Sequence, residues 1–262
     1  MNMRELNLPL SLLLCLLLCQ AKPAQADDGL STDRPDFTES PEVLAAGRFQ
    51  LETSVAWQRQ KTAGLTTRLR STPTLLRLGV GHDVELRLET DGALRQTGDG
   101  EPSASGRGDA SLGLKWQFDE GGDQRPALAW LLHVDTPSGS GPFKGHGLRP
   151  SLRLAAEWDL PAGLSLGAMA GVLTDRNEDD RRYTAGVASA SLGIPLAENL
   201  RSFAELAAQQ VASARNGGKV LTAGTGVAWQ LSRDAQLDTA VFRGLNRNTP
   251  DWAWTVGLSL RY

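Results

Sequence analysis

The sequence predicts an all-β fold, an antiparallel up-and-down β-barrel of about twelve strands that cross a membrane. Three observations support this prediction: an N-terminal export signal, alternation of apolar and polar residues along the rest of the chain, and long polar connections between strands alternating with short ones. The 28 glycines and a hydrophobic content of only 40% argue against a helical membrane protein. We therefore interpret the chain beyond the signal as one large β unit.

The N-terminus has the residue order of a secretory signal peptide. Arg4 precedes an apolar run from Leu8 to Cys19, and the small residues Ala24 and Ala26 follow. This run of about twelve residues is shorter than the roughly twenty that a spanning helix needs. We therefore expect residues 1–26 to be removed by cleavage near Ala26, with export from the cytoplasm.

The two cysteines, Cys15 and Cys19, both lie inside this signal. Lipid attachment to one of them is the alternative, but large leucines precede both. The chain from Asp27 onward cannot use disulfides, thiol chemistry or cysteine-based metal binding. The three histidines lack the short spacings of zinc sites, so we predict no metal site and no cofactor. The net charge of −3, with no basic stretch, argues against a nucleic-acid partner.

Alternation identifies the strands. In the last segment Trp252, Trp254, Val256 and Leu258 alternate with small or polar residues, which is the pattern of a strand with one apolar face. Each predicted strand is about as long as the roughly ten residues of a tilted membrane crossing. The predicted strands lie near residues 47–59, 66–80, 83–94, 107–119, 126–136, 147–160, 163–174, 182–195, 199–211, 219–231, 234–245 and 250–262.

The connections distinguish a membrane barrel from a soluble sandwich. The odd-numbered links at 60–65, 95–106, 137–146 and 175–181 are long and polar, whereas links such as Gly81-His82 are short. Long external loops and short periplasmic turns are typical of outer-membrane barrels and leave both termini in the periplasm. The loop at 137–146 either folds inward, with Phe143 and Lys144 as contacts, or stays on the surface.

Aromatic residues give a further check, because lipid-facing barrels carry aromatic girdles at both interfaces. We expect Trp57, Trp252 and Trp254 at the external ends of strands and Trp130 nearer the middle of the membrane. At the periplasmic ends we expect Trp116, Phe118, Trp158, Trp229 and Tyr262. The alternating C-terminal strand that ends in Tyr262 also resembles the signal recognised by the barrel-assembly machinery. The alternative interpretation is the core of a soluble β protein.

Residues 27–46 form a polar segment before a barrel at 47–262. Within this segment, Ser31 to Pro41 reads Ser-Thr-Asp-Arg-Pro-Asp-Phe-Thr-Glu-Ser-Pro. This stretch resembles a motif of the outer-membrane β-barrel family named for the MetA pathway of phenol degradation, whose members are labelled transporters. The resemblance implies a Gram-negative outer-membrane channel for small solutes, with aromatic compounds as candidates, embedded among outer-membrane lipids.

The charges and two prolines of this stretch prevent it from spanning the membrane as a strand. It must lie in the periplasm or inside the barrel. Our hypothesis is that Asp33, Arg34, Asp36 and Glu39 enter the barrel and pair with charges of the lumen, so that the segment partly plugs it. A solvated leader is the alternative.

The inward faces of the predicted strands supply candidates for solute selectivity. Charges of both signs are interspersed there, so many of them are expected to pair across neighbouring strands, while Arg149 and Arg153 opposite acidic groups would orient a dipolar solute. The candidates are Glu52, Glu85, Arg87, Glu89, Lys115, His133, Asp135, Arg149, Arg153 and Glu157.

Two other functions remain open. A non-conducting structural barrel would use its loops as the working surface, for example the charged loop at 175–182. An outer-membrane lipid hydrolase would need a serine, a histidine and an orienting group together. The match Gly163-Leu164-Ser165-Leu166-Gly167 opens a predicted strand and not the strand-turn-helix of a nucleophile elbow. We therefore predict no catalytic residues.

Overall fold

The computed structural model describes residues 30–122, 124–177 and 179–262, with only the backbone at position 101. The predicted signal peptide lies outside the described residues. Within these ranges no helix has the length and apolar character needed to span a membrane.

The described residues form fifteen strand segments in one antiparallel sheet. They are β1 (Phe49–Thr62), β2 (Leu65–Ser71), β3 (Thr74–Gly79), β4 (Val84–Thr90), β5 (Ala93–Gly98), β6 (Glu101–Arg107), β7 (Ala110–Asp119), β8 (Ala127–Asp135), β9 (Arg149–Asp159), β10 (Ser165–Arg176), β11 (Arg182–Ala197), β12 (Leu200–Val211), β13 (Lys219–Ser232), β14 (Ala235–Gly244) and β15 (Trp252–Arg261).

The sheet closes on itself because the first and last strands pair. The register runs from Gln50 opposite Arg261 to Arg59 opposite Trp252. Phe49 and Tyr262 extend the pairing, each donating its backbone N–H to the carbonyl of the other, at 3.1 and 2.8 Å. A closed barrel has no free sheet edge in the membrane, so its strands pair on both sides without water. Among the described segments, the external β6 pairs with β5 alone.

The fifteen segments correspond to twelve barrel strands, as predicted. Three neighbouring barrel strands are each interrupted once, at residues 72–73 between β2 and β3, 91–92 between β4 and β5, and 108–109 between β6 and β7. The interruption before Thr74 contains Pro73, which has no N–H to donate to the ladder. Backbone hydrogen bonds from Thr72 to Asp91 and from Gly108 to Gly92 join the three interruptions, which therefore lie at one level of the wall.

Two predicted external loops are hairpins. Residues 60–65 belong to β1 and β2, which are joined at Ala63 and Gly64, both with positive φ (50° and 86°). Residues 95–106 form most of the β5–β6 hairpin. The prediction of loops was wrong because both hairpins lack the apolar face on which the strand prediction depended. The 137–146 connection contains only the short 3₁₀ turn Gly141–Phe143.

Burial in the barrel is the reverse of that in a soluble protein. Large apolar side chains such as Leu112 and Leu132 are exposed on the outer wall, whereas Arg77, Glu85 and Lys115 are fully buried inside. Exposed apolar surface on this scale requires a lipid environment. The alternation seen in the sequence therefore places apolar residues toward lipid and charges toward the lumen.

The aromatic girdles lie at the two ends of the strands. Trp57 stacks on Trp254 at the external end, with ring centroids 4.0 Å apart. Trp130 pairs with Trp116 across β7 and β8, and its ring lies 6.3 Å from that of Phe118. Trp130 therefore belongs to the periplasmic girdle. The expectation of a mid-membrane position was wrong because the register of β7 and β8 places Trp130 directly opposite Trp116 of that girdle.

Candidate functional site

The described part of the N-terminal segment, residues 30–46, lies inside the barrel. Its buried residues include Asp33, Thr38, Glu39 and Leu44. The Leu44 backbone N–H donates to Glu85 on β4, at 3.0 Å. The segment therefore contacts the wall through its own backbone as well as through its charges.

Asp33 is the centre of the largest charge cluster. Its carboxylate accepts a hydrogen bond from Arg87 at 2.6 Å and two from the Lys115 ammonium at 2.9 and 3.0 Å. The Arg77 guanidinium lies 3.7 Å away. Burial alone would raise the pKa of Asp33, but the Lys115, Arg77 and Arg87 cations outweigh it and hold that pKa far below its usual value. Asp33 is therefore a carboxylate inside the barrel.

The wall supplies the other half of this cluster. Arg77 is fully buried, donates two hydrogen bonds of 2.9 Å to Glu85, and donates a third to Glu52 at 3.1 Å. Arg77 and Arg87 are directly opposite each other on β3 and β4. Two opposed arginines repel unless acids lie between them. Asp33 and Glu85 provide that compensation, one from the segment and one from the wall.

Glu39 makes a second connection to the wall. Its two carboxylate oxygens accept from Arg87 at 2.8 Å and from Arg153 at 3.0 Å. Arg87 lies on β4 and Arg153 on β9, so Glu39 bridges strands that are not neighbours. Loss of this carboxylate would leave both guanidinium groups with fewer acceptors in the lumen.

Three potential metal ligands meet beside this bridge. Glu39, Glu89 and His133 have ligand atoms within 4.8 Å of one another. His133 Nε2 lies 3.5 Å from Glu89 and has no hydrogen-bond partner among the described residues. Both carboxylates already accept hydrogen bonds from Arg87, at 2.8 and 3.0 Å. We therefore interpret the group as part of the ion-pair network and not as a metal site.

The segment also contacts the opposite wall. Arg34 donates to Asp238 on β14 at 3.1 Å and to Thr255 on β15 at 2.7 Å. Glu205 on β12 accepts from both the backbone N–H and the hydroxyl of Thr38, at 2.7 Å each. The segment is thus attached to strands on both sides of the barrel and crosses the lumen between them.

Among the described residues, no cation forms an ion pair with Asp36. Burial and the nearby Glu205 carboxylate raise the pKa of Asp36 to about 7, against an ordinary value of 3.8. Asp36 belongs to the N-terminal segment, which does not span the membrane. Its charge therefore changes near neutral pH, at a point where the segment meets the wall.

Two cavities lie on either side of the segment. The external cavity has a volume of about 590 Å³ and the periplasmic cavity about 620 Å³. Arg34, Asp36 and Glu39 line both cavities. The segment is therefore the septum between them.

The external cavity combines apolar and charged walls. Phe37, Leu94 and Phe143 face the same space as Arg149 and Arg153. The Arg153 guanidinium carbon lies 5.8 Å from the centre of the Phe37 ring, within cation–π distance. Such a wall offers ring-stacking surface and positive charge side by side.

The sequence-predicted lumen residues are spread over this network. Glu52, Glu85, Arg87 and Lys115 contact Asp33 or its partners, and Glu89, His133 and Arg153 surround Glu39. Arg149 pairs with Asp109 at 2.8 Å, and with Asp135 at 3.5 Å. Glu157 lines the periplasmic cavity. Phe143 lines the external cavity, whereas Lys144 is exposed.

Arg77 was not among the candidates, although it is one of the most buried charges of the barrel. Its position could be read from the sequence, because Arg77 lies between Leu76 and Leu78 in a predicted strand and so faces inward. The partners Glu205 and Asp238 are inward-facing by the same rule, but their contacts with the segment depend on its path through the lumen.

The barrel is closed, antiparallel and twelve-stranded, and it has an apolar outer band, aromatic girdles and a charged interior. These features define an outer-membrane β-barrel protein. Residues 32–262 match the family described as "Putative MetA-pathway of phenol degradation", and the chain belongs to this family. No curated protein matches the sequence significantly.

Solved structures show the same fold at low sequence identity. The COG4313 outer membrane channel from Pseudomonas putida F1 has a TM-score of 0.63 and 12% identity, over 87% of this chain and 99% of that one. The KdgM porin in complex with disordered oligogalacturonate has a TM-score of 0.54 and 8% identity, over 80% and 98%. The β domain of the Bordetella autotransporter BrkA has a TM-score of 0.52 and 15% identity, over 82% and 99%.

Proposed function

We propose that this protein is an outer-membrane channel for small solutes, with aromatic compounds as the preferred class, and that its N-terminal segment restricts the pore. The observation that carries the proposal is the pair of lumen cavities separated by residues 30–46. A solute that crosses the barrel must displace this septum or pass beside it.

The external cavity supports a small aromatic solute. Its volume of about 590 Å³ lies within the usual range of about 300–1,000 Å³ for ligand pockets. Phe37 and Phe143 offer faces for stacking, and Arg149 and Arg153 offer donors to a carboxylate or phenolate. Among the structures of this fold, one is an outer membrane channel and another is a porin, which is consistent with transport.

We infer that the protein is not an enzyme. Ser165, the serine of the Gly-x-Ser-x-Gly match, lies at the start of β10, where its hydroxyl accepts a hydrogen bond from Arg201 at 3.3 Å. Within the described ranges no hydrogen bond joins a serine to a histidine, and the hydrolase alternative needs such a pair.

We further propose that the chain reaches the outer membrane after signal cleavage near Ala26, and that the barrel-assembly machinery recognises its last strand through Tyr262. The end of that strand supports this, because the Tyr262 side chain is exposed on the outer wall beside Phe49, with ring centroids 6.4 Å apart.

Solute block in a planar bilayer tests the proposed transport. We expect benzoate to reduce the single-channel current of the inserted protein, and cyclohexanecarboxylate, which has the same charge but no aromatic ring, to reduce it less. Equal effects of the two acids would contradict an aromatic preference. Stable insertion without any current would favour a structural barrel.

A further inference from the structure

The outer wall carries a band of exposed arginines at the external ends of adjoining strands. Arg59 lies on β1, Arg68 and Arg70 on β2, and Arg95 on β5, and all four side chains are exposed. Arg70 is paired in register with Trp57 of the external girdle. The band therefore lies where lipid tails give way to headgroups.

The arginines of this band oppose one another directly. Arg59 is opposite Arg68, and Arg70 is opposite Arg95. Like charges in directly opposed positions destabilise a sheet. Inside the lumen the opposed pair Arg77 and Arg87 is compensated by carboxylates, but the outer band has little compensation of this kind.

Among the described side chains, a single carboxylate lies within 4 Å of these four arginines. Asp99 lies 3.8 Å from Arg68, and both side chains are about half exposed (56% and 50%). Solvent screens such a pair strongly. Arg59, Arg70 and Arg95 have no ion-pair partner in the part of the chain that the structure describes. The described carboxylates therefore leave most of the positive charge of the band without a partner within the protein.

The arginines line a groove together with tryptophans. The groove has a volume of about 450 Å³; Arg68, Arg70 and Arg95 line it from β2 and β5, and Trp57, Trp252 and Trp254 line it from β1 and β15. Arg70 lies 5.8 Å from the Trp57 ring centre. One side of this groove can contact acyl chains or sugar faces, while the other can bind phosphate.

We propose that this groove, which we call the arginine groove, binds the phosphate groups of the lipopolysaccharide that forms the outer leaflet. Three features favour this occupant. The groove opens sideways from the barrel wall at the external headgroup level, its cations lack anions, and guanidinium groups bind phosphate oxygens in bidentate fashion. Binding would relieve the repulsion in both opposed pairs and fix the barrel in the outer leaflet.

Binding of lipid A to the purified mature protein tests the proposal. The protein is extracted from outer membranes in mild detergent, freed of lipid, and titrated with lipid A that carries both phosphates. The variant Arg70→Gln/Arg95→Gln removes two groove cations. An arginine near an anionic surface contributes about fivefold to binding, so we expect the loss of two arginines to weaken binding about 25-fold.

The control variant is Arg176→Gln/Arg182→Gln. These two arginines face each other at the external ends of β10 and β11, on the opposite wall. We expect this variant to bind lipid A like the wild type. The heat-dependent gel mobility of the barrel verifies that both variants are folded.

Four results would overturn the proposal. They are unchanged binding in the groove variant, an equal loss in the control variant, equal affinity of the wild type for dephosphorylated lipid A, and full competition by millimolar inorganic phosphate. The last result would mean a site for free anions and not for a lipid.

Discussion

Replacement of Asp33 by asparagine should release the N-terminal segment from the lumen. The substitution keeps the size of the side chain but removes the charge that faces Arg87, Lys115 and Arg77 at 2.6, 2.9 and 3.7 Å. Arg77 would keep Glu52 and Glu85, and Arg87 would keep Glu39, Glu85 and Glu89. The fully buried Lys115 ammonium would lose its close carboxylate and keep only Glu85, 4.0 Å away, so its positive charge would be largely uncompensated.

The size of the effect follows from that uncompensated charge. Removal of one partner from a buried ion pair typically costs about 3–5 kcal/mol. Since about 1.4 kcal/mol changes an equilibrium tenfold, the docking equilibrium of the segment should shift by roughly 10²- to 10⁴-fold. The barrel wall keeps its backbone pairing, so we expect the segment to leave while the barrel stays folded.

Cleavage by a glutamate-specific protease measures this release. Glu39 and Glu42 lie in the segment, and Glu39 is buried in the docked state. Glu42 is exposed in the docked state, so cleavage after Glu39 is the readout, and we expect it to be much faster in Asp33→Asn than in the wild type. Asp83→Asn, in an exposed periplasmic turn, is the matched control. Equal cleavage rates in a folded Asp33→Asn barrel would refute the role given to the ion cluster.

Three further outcomes test other parts of the account. Between about pH 4 and pH 7 Asp36 is protonated in the folded protein but ionised in the unfolded chain. The free energy of unfolding of the wild type should therefore fall as the pH rises, whereas that of Asp36→Asn should not show this contribution. The difference in unfolding free energy should change by about 4 kcal/mol over this range, and parallel pH profiles of thermal unfolding would contradict it. Reversal of Arg149 and Arg153 to glutamate should move the reversal potential in a salt gradient toward cation selectivity, and an unchanged potential would exclude a selectivity role. Tyr262→Ala should reduce the fraction of folded barrel in outer membranes more than Phe49→Ala, which removes the same ring contact. Equal losses would indicate that Tyr262 acts by packing against Phe49 and not through recognition by the barrel-assembly machinery.

Alternation in the sequence was sufficient to locate the barrel strands. A lipid-facing strand must be apolar on one face, so residues such as Leu86 and Leu88 mark β4 even without homologues. The same rule does not identify strands that extend outside the membrane. The β5–β6 hairpin is polar on both sides, which is why residues 95–106 looked like a loop.

The candidate site could be predicted only in part. The charges and prolines of the N-terminal segment exclude it from the wall, and alternation identifies the inward-facing charges. Which charges meet could not be predicted, because pairs such as Arg34 and Asp238 are distant in sequence and depend on how the segment crosses the lumen. Arg77 shows that an inward position alone does not reveal its place at the centre of the network.

Single-channel conductance of the wild type and of a variant lacking residues 30–41 tests the central claim, that the barrel is a channel restricted by its own N-terminal segment. We predict discrete current steps for both proteins and larger steps for the deletion variant, because the two cavities then become one continuous pore. Stable insertion with identical steps, or with no current in either protein, would contradict the account.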